Sequence, residues 1–423
     1  MKESILHFVW QFKLFSMREL KTTDGHGVDV IDVGRPNIDS GPDFFNAKLK
    51  IDGTIWAGNI EIHNQSSDWK KHKHHEDKAY DNVILHVVNK ADKEIRRTNG
   101  ALIPQMELTV PEYIVRNYDE LFSVKKWIQC EEKINTFPPV LMSGWKNALL
   151  VERLERKSIE IKNRLEQSNN HWEEAFYISL ARSFGFGTNS LPFELLAKSL
   201  PLNILGKHKD NLFQLEALLY GQAGLLESVG ENDHPADLQR EYRFLQTKYK
   251  LNPLDGSLWK LLRLRPDNFP HIRIAQFASL INRSSKLFSK IIECEDVKDL
   301  RKLFECEVSD YWRNHYVFGK ESAHSKKRLG KHSIDILIIN TIIPFLFTYK
   351  KEKGENAAEV LRLPEKIPAE KNAVVQKWQQ LGVSSENAFD SQALIQLKKN
   401  YCDLKRCLSC RVGHRVLTVK NKY

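Results

Sequence analysis

Cysteine is scarce in this chain. Six residues in 423 are too few for the disulfide framework of a secreted protein. Long hydrophobic runs are missing too. The most apolar segment, 334–347, is shorter than the roughly 20 residues that span a bilayer, and Asp335, Asn340 and Pro344 interrupt it. The start, Met1-Lys2-Glu3-Ser4, leads into a short apolar stretch with no small-residue cleavage site, so no signal peptide is expected. No internal repeat emerges. These lacks point to a cytoplasmic protein with no membrane partner.

What is there suits a soluble globular protein. Hydrophobic residues make up 41% and charged residues 28%, and the length allows two or three domains. The net charge is +10, compatible with a polyanionic partner such as DNA or RNA.

The densest signal lies in residues 41–88. Five of the 15 histidines fall there (His63, His72, His74, His75 and His86), together with Asp43, Glu61, Asp68, Glu76 and Asp77. Strand alternation puts Asn59, Glu61 and His63 on one face and Ile60 and Ile62 on the other. Leu49 and Ile51 mark a preceding strand, after Asp43. An acid opening one strand would then meet an acid and a base on the next. Two carboxylates that close repel unless a proton or cation lies between them. Mg2+ or Mn2+ is the expected occupant, since hard ions prefer carboxylate and water oxygens.

The neighbouring elements follow from the same patterns. An amphipathic helix is expected over 4–20 and strands over 28–33, 45–51 and 55–63, with Asp52-Gly53 as a hairpin turn. Ser66, Ser67 or Asp68 caps a helix over 69–80, which would turn His74 and Asp77 toward Glu61. A nearly all-apolar strand over 83–88 suits a central position, and a last strand is expected over 105–110.

An Asp before an E-x-K-like tripeptide, in the order helix, three strands, helix, strand, resembles the core of the PD-(D/E)xK nuclease superfamily. Gly41-Pro42-Asp43 matches the first acid, and Glu61-Ile62-His63 the second acid and the base. His63 stands where that superfamily usually has lysine. The resemblance covers roughly the first 115 residues. It implies an α+β chain with an N-terminal mixed-sheet, restriction-endonuclease-like α/β core over 1–115. The expected activity is metal-dependent hydrolysis of phosphodiester bonds. Asp43 and Glu61 would hold the ion, His63 would position or deprotonate water, and His74 and Asp77 would assist. A bound metal lowers the pKa of water toward about 7. Two alternatives stand beside it: a non-catalytic module that binds nucleic acid or protein, and a zinc hydrolase using His63, His74, Asp77 and His86. Over nearly its full length the chain also resembles an uncharacterised bacterial family, through GPDF, GNIEIH, SSDW, NVILHVV and the terminal cysteines.

Strand signals stop near residue 112. Helical periodicity follows over 142–165, 173–184, 192–200, 211–226, 238–250 and 272–284, broken by residues such as Gly185, Pro201 and Gly230. This makes a largely helical domain over 116–350. Two basic spots, Arg263 to Arg273 and Lys320 to His332, could track a phosphate backbone. A charged linker, two helices (374–381 and 388–400) and a Cys-rich tail are expected over 351–423. In that tail Cys402, Cys407 and Cys410 are spaced C-x4-C-x2-C, with His414 three residues on. Thiolates and an imidazole this close suit a structural Zn2+. With Cys130 as the fourth ligand the set would also suit an iron–sulfur cluster.

Overall fold

Burial along the chain shows how the sheet forms. The computed structural model describes residues 2–227, 234–284 and 286–420; Gly230, an expected helix break, lies outside them. Helix α1 (Glu3–Gln11) buries Ile5, Leu6, Phe8, Val9 and Trp10. It is followed by strands β1 (Val28–Asp32), β2 (Arg35–Pro36), β3 (Phe44–Ile51) and β4 (Thr54–Gln65). Short helix α2 (Asp68–Lys71), strands β5 (Val83–Lys90) and β6 (Gln105–Glu107), and helix α3 (Glu112–Phe122) come next.

The sheet is mixed, in the order β1-β3-β4-β5-β6, with β2 also pairing β3. The pairs β1–β3 and β3–β4 are antiparallel, whereas β4–β5 and β5–β6 are parallel. Asp52 and Gly53 both have positive φ, 47° and 82°, the backbone of a two-residue hairpin turn that matches strand twist. β5 lies between two parallel neighbours, so its first six residues are all buried, as a strand covered on both faces requires. β4 changes along its length. Its first residues are exposed, but Ile60, Glu61, Ile62 and His63 are all buried where α1 and α2 pack on it.

Two helices are shorter than periodicity suggests. The opening helix ends at Gln11, and Lys13 turns the chain with φ 51°. The helix expected over 69–80 breaks after one turn. Lys73 adopts φ 62°, and two 3-10 turns, His74–Glu76 and Lys78–Tyr80, replace the rest. The Asp77 carboxylate accepts the Ala79 N–H at 2.8 Å, so it caps the second turn.

Against the expected boundaries near 115 and 350, the chain divides into unit 1, Met1–Leu141 with Leu397–Tyr423, and unit 2, Met142–Gln396. The last stretch of unit 1 carries a π-turn (Lys398–Cys402), a 3-10 turn (Cys407–Ser409) and the closing helix Arg411–Thr418. Asn117 of α3 donates to the carbonyls of Leu417 and Val419 at 3.0 and 3.1 Å, tying the two chain segments of the unit together.

Unit 2 is built mainly from helices, including Trp172–Phe184, Ser190–Ser199, Leu212–Gln222, His234–Tyr249 and Pro270–Arg283. They share one apolar core with Phe176, Phe184, Phe193, Tyr220, Phe277 and Trp312 at its centre. Lys331–Glu352 is long and apolar enough to cross a membrane by length and composition, but 72% of its most apolar window is buried inside the fold. That is compatible with a soluble protein.

Candidate functional site

The register of the hairpin brings the two acids together. Phe44 pairs with Ile60 across β3 and β4, so Asp43 arrives beside Glu61. The Asp43 N–H donates to Glu61 Oε2 at 3.0 Å, and the Ile62 N–H donates to Asp43 Oδ2 at 2.9 Å. Each carboxylate is thus held by backbone at or next to the other, which fixes both more firmly than side-chain contact alone.

Imidazoles close around this pair. His63 shares its face of β4 with Glu61, and its Nε2 lies 3.5 Å from Glu61 Oε1. His74 Nε2 lies 3.2 Å from the same oxygen. His63 Nδ1 meets His86 Nε2 at 2.8 Å, and His63 Nε2 meets His72 Nδ1 at 3.1 Å. His63, His72 and His74 each offer a nitrogen within 4.8 Å of the other two. From α1, His7 Nε2 lies 3.4 Å from Asp43 Oδ2. The ring of Tyr80 stacks on His74 with centroids 3.8 Å apart, and Trp69 lies edge-on to both His74 and His86.

The electrostatics are those of two crowded carboxyls with no Lys or Arg ion pair among the described residues. Burial pushes the Glu61 carboxyl up to about 9, and the Asp43 charge adds to the rise. Burial also raises Asp43, partly offset by His7 and the Ile62 N–H. The imidazoles move the other way. Burial, with the neighbouring imidazoles, lowers His63 to about 2. Burial lowers His86 to about 3, partly offset by Gln105, and lowers His74 as well. Tyr80 rises to about 12 through burial and the nearby acids. At neutral pH the buried rings are therefore neutral and able to present lone pairs.

The fold and site together define a two-unit protein with an N-terminal mixed sheet, a mostly helical remainder and a buried carboxylate–imidazole cluster on the sheet. The chain belongs to the family described as "Protein of unknown function (DUF2851)", whose model matches residues 3–373. No curated protein and no solved structure matches it.

Of the residues singled out from sequence, Asp43, Glu61, His63 and His74 converge. Asp77 does not join them: its carboxylate is exposed and caps the turn, although its charge reaches His74. His86 lies behind His63. His414 lies edge-on to Phe8 and Phe12, at 5.5 and 4.5 Å between centroids. The two basic spots contain structural cations. Arg273 is 5% exposed and bonded to Gln276 and Asn268. Lys327, also 5% exposed, donates to the carbonyls of Trp312 and Arg313 at 2.7 and 2.9 Å. Neither can reach a phosphate from there.

Sequence reasoning assigned His7 and His72 no role at the site. His7 sits on a helix read for its aromatic face, though Glu3 four residues before it is a visible partner, 4.0 Å away. His72 was masked by the expected continuous helix, which would have paired it with His75; in the fold His75 pairs with Glu76 instead.

Proposed function

We propose that unit 1 is a divalent-metal-dependent hydrolase acting on nucleic-acid phosphodiester bonds. The observation that carries this reading is the meeting of two backbone-latched carboxylates, Glu61 buried and Asp43 partly so, with three mutually adjacent imidazoles. Such a set fits a metal. Glu61 is surrounded by lone-pair donors and lacks a Lys or Arg partner among the described ion pairs, so its charge needs a cation or a proton. The nitrogen-rich donors favour Mn2+ or Zn2+ over Mg2+, which demands oxygens and retains water. Glu61, His63 and His72 would hold the ion, with Asp43 and His74 beside them.

A divalent ion there would supply positive charge for a developing phosphorane and acidify water. The remaining tasks belong to the chain. His63, neutral down to strongly acidic pH, serves as a donor and not as a proton acceptor. His86, hydrogen-bonded to its far nitrogen, orients it, as outer partners of ligating histidines do. His74, half-buried beside Glu61, is the imidazole suited to take the proton of the attacking water. The choice of a phosphodiester rests on the resemblance to PD-(D/E)xK nucleases. Its support here is an acid before β3, an acid on β4, and a parallel β5 completing the sheet. A restriction-endonuclease-like core for unit 1 belongs to the same proposal.

The test is a panel of single- and double-stranded DNA and RNA with Mn2+, Zn2+, Mg2+ or chelator, for wild type, Glu61→Gln and His74→Ala. We expect cleavage with Mn2+ or Zn2+ that both substitutions remove. Salt-sensitive binding without cleavage under any metal would mark a binding module instead. Cleavage unchanged in both variants would locate the chemistry elsewhere.

A further inference from the structure

Four thiols of unit 1 lie on chain segments that the fold brings together, 272 positions apart at their nearest, Cys130 and Cys402. Cys130 follows α3 in a turn whose carbonyl accepts the Lys133 N–H at 2.9 Å. Cys402 closes the π-turn Lys398–Cys402. Beyond it Lys405 adopts φ 53° and returns its N–H to the Cys402 carbonyl at 3.1 Å. Cys407 opens a 3-10 turn, and its carbonyl accepts the Cys410 N–H at 3.2 Å. None of the four is in a disulfide; Cys407 and Cys410 are buried and the others partly so.

Each of the six pairs among these four thiols interacts electrostatically. Two further contacts hold the arrangement. Lys398 lies over the ring of Trp127, 5.0 Å from its centroid, three residues before Cys130. Gly413 of the closing helix passes so close to the cysteine turn that an added Cβ would lie 2.0 Å from the Cys407 carbonyl oxygen. The helix therefore rests directly on that turn, and only glycine permits it. His414, expected from its spacing to be the fourth ligand, instead packs against Phe8 and Phe12.

We propose that Cys130, Cys402, Cys407 and Cys410 hold a tetrathiolate metal centre, zinc or an iron–sulfur cluster. It staples the two chain segments of unit 1 on either side of the intervening helical unit. Soft thiolates select these metals over hard ions. The position fits a structural role, because unit 1 is built from segments that only tertiary contacts join. This centre is independent of the hydrolase reading, and its test does not use activity.

Full-length protein purified without oxygen should carry metal at this centre that survives gel filtration. About one zinc per chain without visible colour identifies the ion. Iron with acid-labile sulfide and visible charge-transfer absorption identifies the cluster. Cys130→Ser should lose this metal, whereas His414→Ala and Cys306→Ser, a buried thiol of unit 2, should keep it. Should Cys130→Ser fail to fold, Co2+ substitution of the wild type decides, since four thiolates and three thiolates with one imidazole give different d–d bands. Overturning results are metal retained in Cys130→Ser, a Co2+ spectrum with an imidazole ligand, or wild type that neither carries nor takes up zinc or iron.

Discussion

Two buried glutamates show how differently the two units treat charge. Glu194 of unit 2 is 7% exposed and Glu61 of unit 1 is 4% exposed, yet their carboxyls shift in opposite directions. Burial alone would raise Glu194, but hydrogen bonds from Lys198 and Arg182, with Arg164 nearby, outweigh it and bring the group down to about 2. Glu61 has no such cations among the described residues and rises to about 9. Unit 2 repeats the paired pattern: Lys146 meets Asp390 at 2.9 Å and Arg301 meets Asp335 at 2.7 Å. Glu216 is its exception, raised to about 8 by burial and bonded to Ser309. Buried charges that serve the fold are matched by opposite ones, as their desolvation requires. Glu61, a buried acid surrounded by neutral lone pairs, is the one for which we propose a partner from outside the chain.

That contrast can be broken or sharpened by experiment. The largest effect should come from Glu61→Gln, which removes the carboxylate oxygen that, among the described residues, touches both His63 and His74. Calorimetric titration with Mn2+ should show affinity falling by more than the roughly 10–100-fold typical of outer-sphere changes. A loss under tenfold would mean that Glu61 is no ligand. Next in size, Glu194→Ala leaves three cations without their acceptor. Discounted for the half-exposed Arg182 and Lys198, it should destabilise unit 2 by about 2–3 kcal/mol in chemical denaturation. Metal affinity at unit 1 should be unaffected, because no metal is involved in that network.

The pH dependence of the two glutamates should then separate. A metal that binds Glu61 must displace its proton, so Mn2+ affinity should rise with pH by roughly tenfold per unit below about 9. Without metal the sign for stability is reversed. The folded pKa of Glu61 is raised, so its contribution is present in acid and lost as pH climbs from 4.5 through about 9. A pH-independent affinity from 6 to 8.5 would contradict the displacement. Glu194, with a lowered folded pKa, contributes stability above 4.5 that is lost as pH falls toward about 2.

The smallest effect concerns His86. Its folded pKa is lowered to about 3 from 6.5, so the unfolded chain takes up its proton first. Stability should decline as pH drops below 6.5. His86→Asn should make that decline shallower, by at most about 1.4 kcal/mol per pH unit for the one proton removed. An unchanged slope in pH-dependent denaturation would show that His86 already titrates normally.

Local chemistry made much of unit 1 legible in advance. Alternation over 44–65 and the Asp52-Gly53 turn dictate the hairpin, because side-chain period and positive φ are properties of a few adjacent residues. The continuous apolar run of β5 dictates an interior strand. Once Glu61 and His63 share a face of β4, Asp43 can meet them through one hairpin register. The unit 2 helices were legible in the same way, from periodicity and the Gly and Pro residues that break it.

What the sequence by itself determined, then, is the hairpin, the interior strand, the helical remainder, and the grouping of Asp43, Glu61 and His63. The tertiary structure alone decided the rest. Lys73 in the left-handed region breaks a helix that periodicity favoured, swinging His72 and His74 onto His63 while leaving Asp77 as a cap. α1 brings His7 to Asp43 across 36 positions. The segment of Cys130 and that of the terminal cysteines fall in one unit, and His414 turns to the aromatic rings of α1 and its end. Arg273 and Lys327, basic spots by composition, are drawn inward by carbonyls and amides of their own fold. Spacing along a chain records only neighbours within a few residues. Which distant side chains meet depends on how buried strands and helices close the core, and that packing is a property of the whole unit.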